Sequence, residues 1–140
     1  MIYVDTSVLV AYYSPEPLSQ PVQNRLSQEE PALSDLTEVE LVSTIYRKVR
    51  MEEMEKVDAN RIIAKFQSHL DKALFTRISV QPHHWQLARG WLGLFTTPLK
   101  TLDAVHLSIA SAENLELVTA DKHLYQSADF LGVKASLVGE

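Results

Sequence analysis

The chain has 140 residues, 46% apolar and 22% charged, which suits a single globular domain with a real core rather than a disordered segment. It carries no cysteine, so disulfides, thiolate zinc sites and thiol catalysis are excluded, and no apolar stretch approaches the length of a membrane span. A net charge of −5 argues against a general nucleic-acid binder, and an N-terminus without a basic, cleavable apolar segment is expected to be no signal peptide, which is compatible with a cytoplasmic protein.

Residues 2–4 (Ile2, Tyr3, Val4) form a β-prone run that ends in Asp5. A short helix is expected over residues 7–13, stopped by Ser14-Pro15, and another over 18–28, where Pro21 is tolerated only near the first turn. Residues 32–34 read as a short second strand. From Asp35 a helix is expected, with Leu36, Val39, Val42, Ile45, Tyr46 and Val49 at helical spacing and Asp35 and Glu38 at the spacing of a capping box. The charged stretch 50–56 breaks it before a helix over 57–74, which carries Ile62, Ile63, Phe66 and Leu70 on one side. Together these two helices read as a hairpin.

A strand follows at 76–80, ended by Pro82, then a helix at 85–95 and a loop at 96–98. The apolar residues Trp85, Trp91, Leu94 and Phe95 read as core, with a homodimer face as the alternative use. Residues 101–112 form a strong helix with Leu102, Val105, Ile109 and Ala112 in a stripe widened by His106, and Thr101 is placed to cap it. Residues 116–120 read as a strand, 122–131 as a helix stopped by Gly132, and 133–138 as a final strand. Strands separated mainly by helices give an α/β fold with a largely parallel sheet, one domain over residues 1–140. With four glycines and no Gly-x-Gly-x-x-Gly or P-loop, a dinucleotide or nucleoside-triphosphate site of those types is not expected.

Four acids stand at comparable places. Asp5 closes the first strand, where a doubly wound sheet binds ligands; an N-cap role explains it equally well. Glu40 lies one turn beyond the capping box, followed by Ser43, Thr44 and Arg47, so it is either aimed at a cleft edge or paired with Arg47 on the surface. Asp103 falls in the first turn of its helix, where the helix dipole favours an anion. Asp121 closes Leu117-Val118-Thr119-Ala120 as Asp5 closes the first strand, and capping again competes. His106 reads as a packed, hydrogen-bonded residue rather than a ligand, and His83, His84 and His123 show no pairing that suggests a role. Carboxylates gathered at one sheet edge repel and need protons or a divalent cation. Oxygen donors without thiolates select Mg²⁺ or Mn²⁺ over zinc.

The charge is uneven. Residues 47–77 hold eight basic and five acidic side chains, leaving five basic and thirteen acidic for the rest. A basic middle beside an acidic remainder suits a protein that guides a phosphate backbone to a carboxylate centre; a solvated helix pair is the plainer account.

Four segments carry a resemblance. They are Ile2-Tyr3-Val4-Asp5-Thr6-Ser7-Val8-Leu9, Leu36-Thr37-Glu38-Val39-Glu40-Leu41, Thr101-Leu102-Asp103-Ala104-Val105-His106-Leu107-Ser108-Ile109-Ala110 and Leu117-Val118-Thr119-Ala120-Asp121-Lys122. In this order the chain resembles PIN-domain ribonucleases, specifically the small VapC-like toxins of prokaryotic toxin–antitoxin pairs. The resemblance implies a Mg²⁺- or Mn²⁺-dependent endoribonuclease that leaves a 5′-phosphate and a 3′-hydroxyl. It implies an acidic pocket of Asp5, Glu40, Asp103 and Asp121, with Thr6 and Thr119 supporting it.

Within that pocket Asp5 and Asp103 are expected at the principal ion and Asp121 at a second, weaker one. Glu40 is expected to orient or deprotonate the attacking water. Arg47, Lys48 and Arg50 are candidates for RNA contact. A small antitoxin, an RNA substrate and a second copy of the chain are the expected partners. Three rivals remain: a phosphoacceptor receiver domain, which wants a second acid where Thr6-Ser7 stands; a PIN-like binding module without catalysis; and an RNA-processing nuclease without a toxin role. A haloacid-dehalogenase-type phosphatase would need an Asp at position 7, which is Ser.

Overall fold

The computed structural model describes residues 1–139. Five strands form its sheet: β1 (Ile2–Val4), β2 (Pro31–Ser34), β3 (Thr76–Ile78), β4 (Glu116–Thr119) and β5 (Ala135–Leu137). The helices are α1 (Thr6–Tyr13), α2 (Ser19–Leu26), α3 (Asp35–Arg50), α4 (Lys56–Asp71), α5 (Pro82–Leu92), α6 (Thr101–Ala112) and α7 (Lys122–Phe130). Every strand pairing is parallel, in the order β3-β2-β1-β4-β5. The chain winds outward one way from β1 through β2 to β3. It then returns to the other side of β1 with β4. The switch point of the sheet is therefore the β1–β4 seam, where Tyr3 registers with Leu117 and Val4 with Val118.

β1 is central and buried on both faces, which is why its three residues are all apolar or aromatic. Its side chains alternate. Ile2 and Val4 join a core with Val8, Leu9, Leu33, Leu41, Ile45, Phe66 and Leu70. Tyr3 points the other way, into a core with Val105, Leu107, Ile109, Leu117 and Leu124. Helix α6 lies inside the molecule, with residues Ala104 to Ala110 all buried, so its apolar surface is broader than a stripe.

The α/β class, the parallel sheet and the α3–α4 hairpin agree with the sequence pattern. Several local expectations do not. The capping box of α3 uses Ser34 and Thr37, not Asp35 and Glu38. Asp35 instead accepts from the Val80 amide, and Glu38 accepts two bonds from Arg77. The buried face of α3 is Thr37, Leu41 and Ile45, while Val39, Val42 and Tyr46 are exposed. Helix α5 starts at Pro82 because proline suits the first helical position and Gln81 caps with His84. It ends by Leu92, so Leu94 and Phe95 are exposed rather than core, as is Trp85, and only Trp91 packs inward. Lys100, not Thr101, is the cap residue of α6, and it makes no side-chain cap bond.

Helix α4 stops three residues before the expected end. Ala73 takes a left-handed φ of 57°, and the Leu74 amide bonds back to the His69 carbonyl. This is the Schellman closure that usually employs glycine, as α7 does with Gly132 at φ 74°.

Candidate functional site

The four acids stand at the ends of the elements that meet at the switch point. Asp5 follows β1 and caps α1; Asp121 follows β4 and caps α7. Asp103 lies in the first turn of α6 and Glu40 in the second turn of α3. Three helix N-termini thus bear on the carboxylates, whose charge the helix dipoles favour.

Asp5 is almost wholly buried, and its oxygens are tied. Oδ1 accepts from the Ser7 hydroxyl at 2.6 Å and the Val8 amide at 3.2 Å; Oδ2 accepts from the Thr119 hydroxyl at 2.6 Å. Ser7 in turn accepts from the Ala120 amide, and Thr119 from the Asp121 amide. These bonds lace β1 to β4 through their following residues. Capping and site formation are therefore not rivals at Asp5: one oxygen serves the helix, and the other keeps a lone pair beyond the Thr119 bond.

Glu40 and Asp121 divide their oxygens in the same way. Glu40 Oε1 accepts from the Thr6 hydroxyl at 2.8 Å and from His106 Nε2 in a very short contact. Arg47 does not pair with it. Asp121 Oδ1 accepts from the His123 and Leu124 amides. Among the described residues, nothing bonds to Glu40 Oε2, Asp121 Oδ2 or either oxygen of Asp103.

The charges interact. Burial pushes the Asp5 carboxyl above its ordinary value, against the opposing effects of His106, Ser7, Thr119 and the Val8 amide. Burial also raises Asp103, the neighbouring Asp121 carboxylate adds to it, and Asp5 and Glu40 contribute further, while His106 opposes. For Glu40 burial acts upward too, but the bond and charge of His106 and the Thr6 hydroxyl outweigh it and hold the carboxyl low. A site that raises two of its own acids through burial and mutual repulsion is suited to a divalent cation. The donors are hard oxygens, as Mg²⁺ or Mn²⁺ prefer. The acids are not drawn tight, since among the described residues no three of them bring ligand atoms within 4.8 Å of one another.

The group that does meet that distance is His83, His84 and Glu113. It lies at the far end of α6 from Asp103, about 15 Å along the helix axis. His84 is fully buried; its Nδ1 accepts from the Gln81 amide, so the ring proton sits on Nε2, 3.0 Å from Glu113. A ring that gives its proton to Glu113 in this way is a structural pin between α5 and α6, a role the sequence did not suggest.

Ser7 is the site residue that sequence reasoning passed over. His106 is packed and hydrogen-bonded, as expected of a histidine in an apolar helix face, but its bond to Glu40 was not foreseen. Arg47 and Arg50 are exposed and Lys48 half-buried on the last turns of α3, with Arg50 stacked over the Tyr46 ring at 5.3 Å. They lie about 10 Å or more along the helix from Glu40.

The fold recurs in solved structures. The protein in the structure of FitAcB from Neisseria gonorrhoeae is 18% identical, with a TM-score of 0.70 over 96% of each chain. DNA-bound VapBC from Salmonella typhimurium is 15% identical, with a TM-score of 0.72 over 97% of this chain and 98% of that one. Mycobacterium tuberculosis VapC20, described as a toxin that cleaves the sarcin-ricin loop, is 13% identical, with a TM-score of 0.71 over 91% and 95%. At these identities the likeness establishes the fold. No curated protein matches the chain by sequence. The model of the PIN domain matches residues 2–130, nearly the whole length, and the chain therefore belongs to the PIN-domain family.

Proposed function

We propose that this chain is a Mg²⁺- or Mn²⁺-dependent endoribonuclease, the cytoplasmic toxin of a toxin–antitoxin pair. The observation that carries the reading is the mutual influence of Asp5, Glu40, Asp103 and Asp121 at the switch point, with an unbonded oxygen on Glu40, Asp103 and Asp121 and a spare lone pair on Asp5 Oδ2. Such a seam is where a doubly wound sheet binds its ligand.

Asp5, through Oδ2, and Asp103 would hold the principal ion, and Asp121, through Oδ2, a second one. A cation bound there supplies charge neutralisation at the phosphate and a nucleophile from water at neutral pH. Glu40 orients the attacking water or takes its proton at Oε2, because Oε1 is fixed by Thr6 and His106. Thr119 does for Asp5 what Thr6 does for Glu40. Arg47, Lys48 and Arg50 hold the RNA backbone and so position the strand without reading its sequence.

The likeness to FitAB and VapBC assemblies supports a small antitoxin and a second copy of the chain as partners. So do the exposed apolar side chains Val39, Tyr46 and Phe95. Among the described residues no helix is long and apolar enough to cross a membrane.

The test is cleavage of a single-stranded RNA by purified protein with Mg²⁺ or Mn²⁺, by Asp5→Asn and Asp103→Asn, and in EDTA. Cleavage should need the metal and vanish in both folded variants, and growth arrest on expression should follow it. Activity in EDTA removes the metal from the account, and activity in both variants removes the site. Cleavage without growth arrest makes the protein an RNA-processing nuclease instead.

A further inference from the structure

Tyr3 is fully buried in the centre of the sheet, yet it carries a hydroxyl where phenylalanine would fill the same space. That hydroxyl has three partners: Ser34 Oγ at 2.8 Å, Thr37 Oγ1 at 3.3 Å and His106 Nδ1 at 2.7 Å. Ser34 and Thr37 are the capping box of α3, each hydroxyl accepting the other residue's amide. His106, also buried, then reaches Glu40 with Nε2. The bonds form a closed loop. It leaves α3 at its first turn, crosses β1 and α6, and returns to α3 at Glu40, three residues beyond Thr37.

Because Nδ1 is engaged by Tyr3, Nε2 is the ring atom left to donate to Glu40. This holds whether Tyr3 donates to a neutral ring or accepts from a charged one. No buried side-chain polar atom among the described residues lacks a partner, so the loop is complete. A hydrogen-bonded chain that ends on one oxygen of a carboxylate fixes the direction of the other.

We propose that Tyr3 and His106 are positioning residues of the acidic pocket. Tyr3, anchored on the α3 capping box, sets the His106 ring, and His106 holds Glu40 Oε1 so that Oε2 faces the pocket. This rests on the pocket being the metal-dependent nuclease centre. Neither residue touches RNA in this scheme, so removing the Tyr3 hydroxyl should lower turnover without changing affinity for the substrate.

The experiment compares wild type, Tyr3→Phe, His106→Gln and His106→Leu. It records Mn²⁺ affinity by calorimetry, kcat and KM on single-stranded RNA, and the His106 ring nitrogens by NMR. Tyr3→Phe should fold, weaken Mn²⁺ binding or kcat roughly tenfold, leave KM unchanged and shift the His106 Nδ1 resonance. His106→Gln keeps a donor near Nε2 and should retain several-fold more activity than His106→Leu. Folded Tyr3→Phe with unchanged Mn²⁺ affinity and kcat overturns the proposal, as does equality of the Gln and Leu variants. Wild type that binds Mn²⁺ without cleaving RNA overturns only the nuclease reading, and the Mn²⁺ affinities then decide the positioning role. Wild type that binds no Mn²⁺ overturns both.

Discussion

The Thr119 hydroxyl donates to Asp5 Oδ2 across 2.6 Å and 114 residues of sequence. It joins the ends of β1 and β4 and supplies that oxygen's one protein hydrogen bond among the described residues. Thr119→Val keeps the shape and removes the donor. Leaving a buried carboxylate short of one bond should destabilise the protein by about 1–3 kcal/mol in urea unfolding. Thr119→Ser should recover most of the loss. A Val variant as stable as wild type would show that the bond is not needed.

Asp5 and Asp103 have folded carboxyls raised above their unfolded values. Such groups add stability that is fully present below the unfolded value, near about 4, and lost as pH rises through the folded one. Glu40, held low, contributes oppositely: its stability is fully present above the unfolded value and is lost as pH falls through the folded one. Metal-free protein at pH 8 should therefore gain stability from Asp5→Asn, and that gain should shrink as pH falls toward 4. Saturating Mn²⁺ should stabilise wild type and not the variant. Melting curves across pH with EDTA or Mn²⁺ give both answers, and a lower Tm for metal-free Asp5→Asn at pH 8 contradicts the argument.

His84 is fully buried between the Gln81 amide and Glu113. His84→Ala should cost about 2–4 kcal/mol, from lost packing and an unpaired carboxylate, while Mn²⁺ binding at the distant acids stays as it was. Calorimetry with Zn²⁺ should detect no site that this substitution removes. A zinc isotherm lost in the variant would make the cluster a metal site after all.

Arg47 and Lys48 sit at the basic end of α3. Replacing each with alanine should weaken binding of RNA to a similar degree whatever the sequence. The slope of log affinity against log salt should fall by roughly 0.7 per residue. Binding measured at several salt concentrations on two unrelated RNAs is sufficient, and an effect confined to one RNA contradicts a backbone role.

The places of the four acids could be read from the chain because they occupy local signals: strand ends at Asp5 and Asp121, and early helix positions at Asp103 and Glu40. What holds them could not. The Ser7–Ala120, Thr119–Asp5 and His106–Glu40 bonds each join residues far apart in sequence, and no local spacing encodes them. The α3 capping box slipped by one residue because Ser34 and Thr37 fit the pattern as well as Asp35 and Glu38 do; burial of the first pair decided it. The apolar face of α3 was misjudged for a related reason. Val39, Val42 and Tyr46 keep helical spacing but face outward, and periodicity marks a stripe without saying what covers it. The ends of α4 and α5 went astray where Ala73 and Phe95 take left-handed conformations that glycine usually signals, whereas α3 and α6 end at Arg50 and Ala112 as the sequence suggests.

The strand order also governs when the four acids can meet during synthesis. The first strand synthesised is the middle of the sheet, and its second neighbour is β4, which begins at Glu116. A nascent chain halted before that point has β1 as an open edge, with Asp5 lacking Thr119 and Asp121 not yet made. Asp5 gains its Thr119 bond only once β4 has paired with β1. The four carboxylates can come together only after β4 and the Asp121 that follows it have been made.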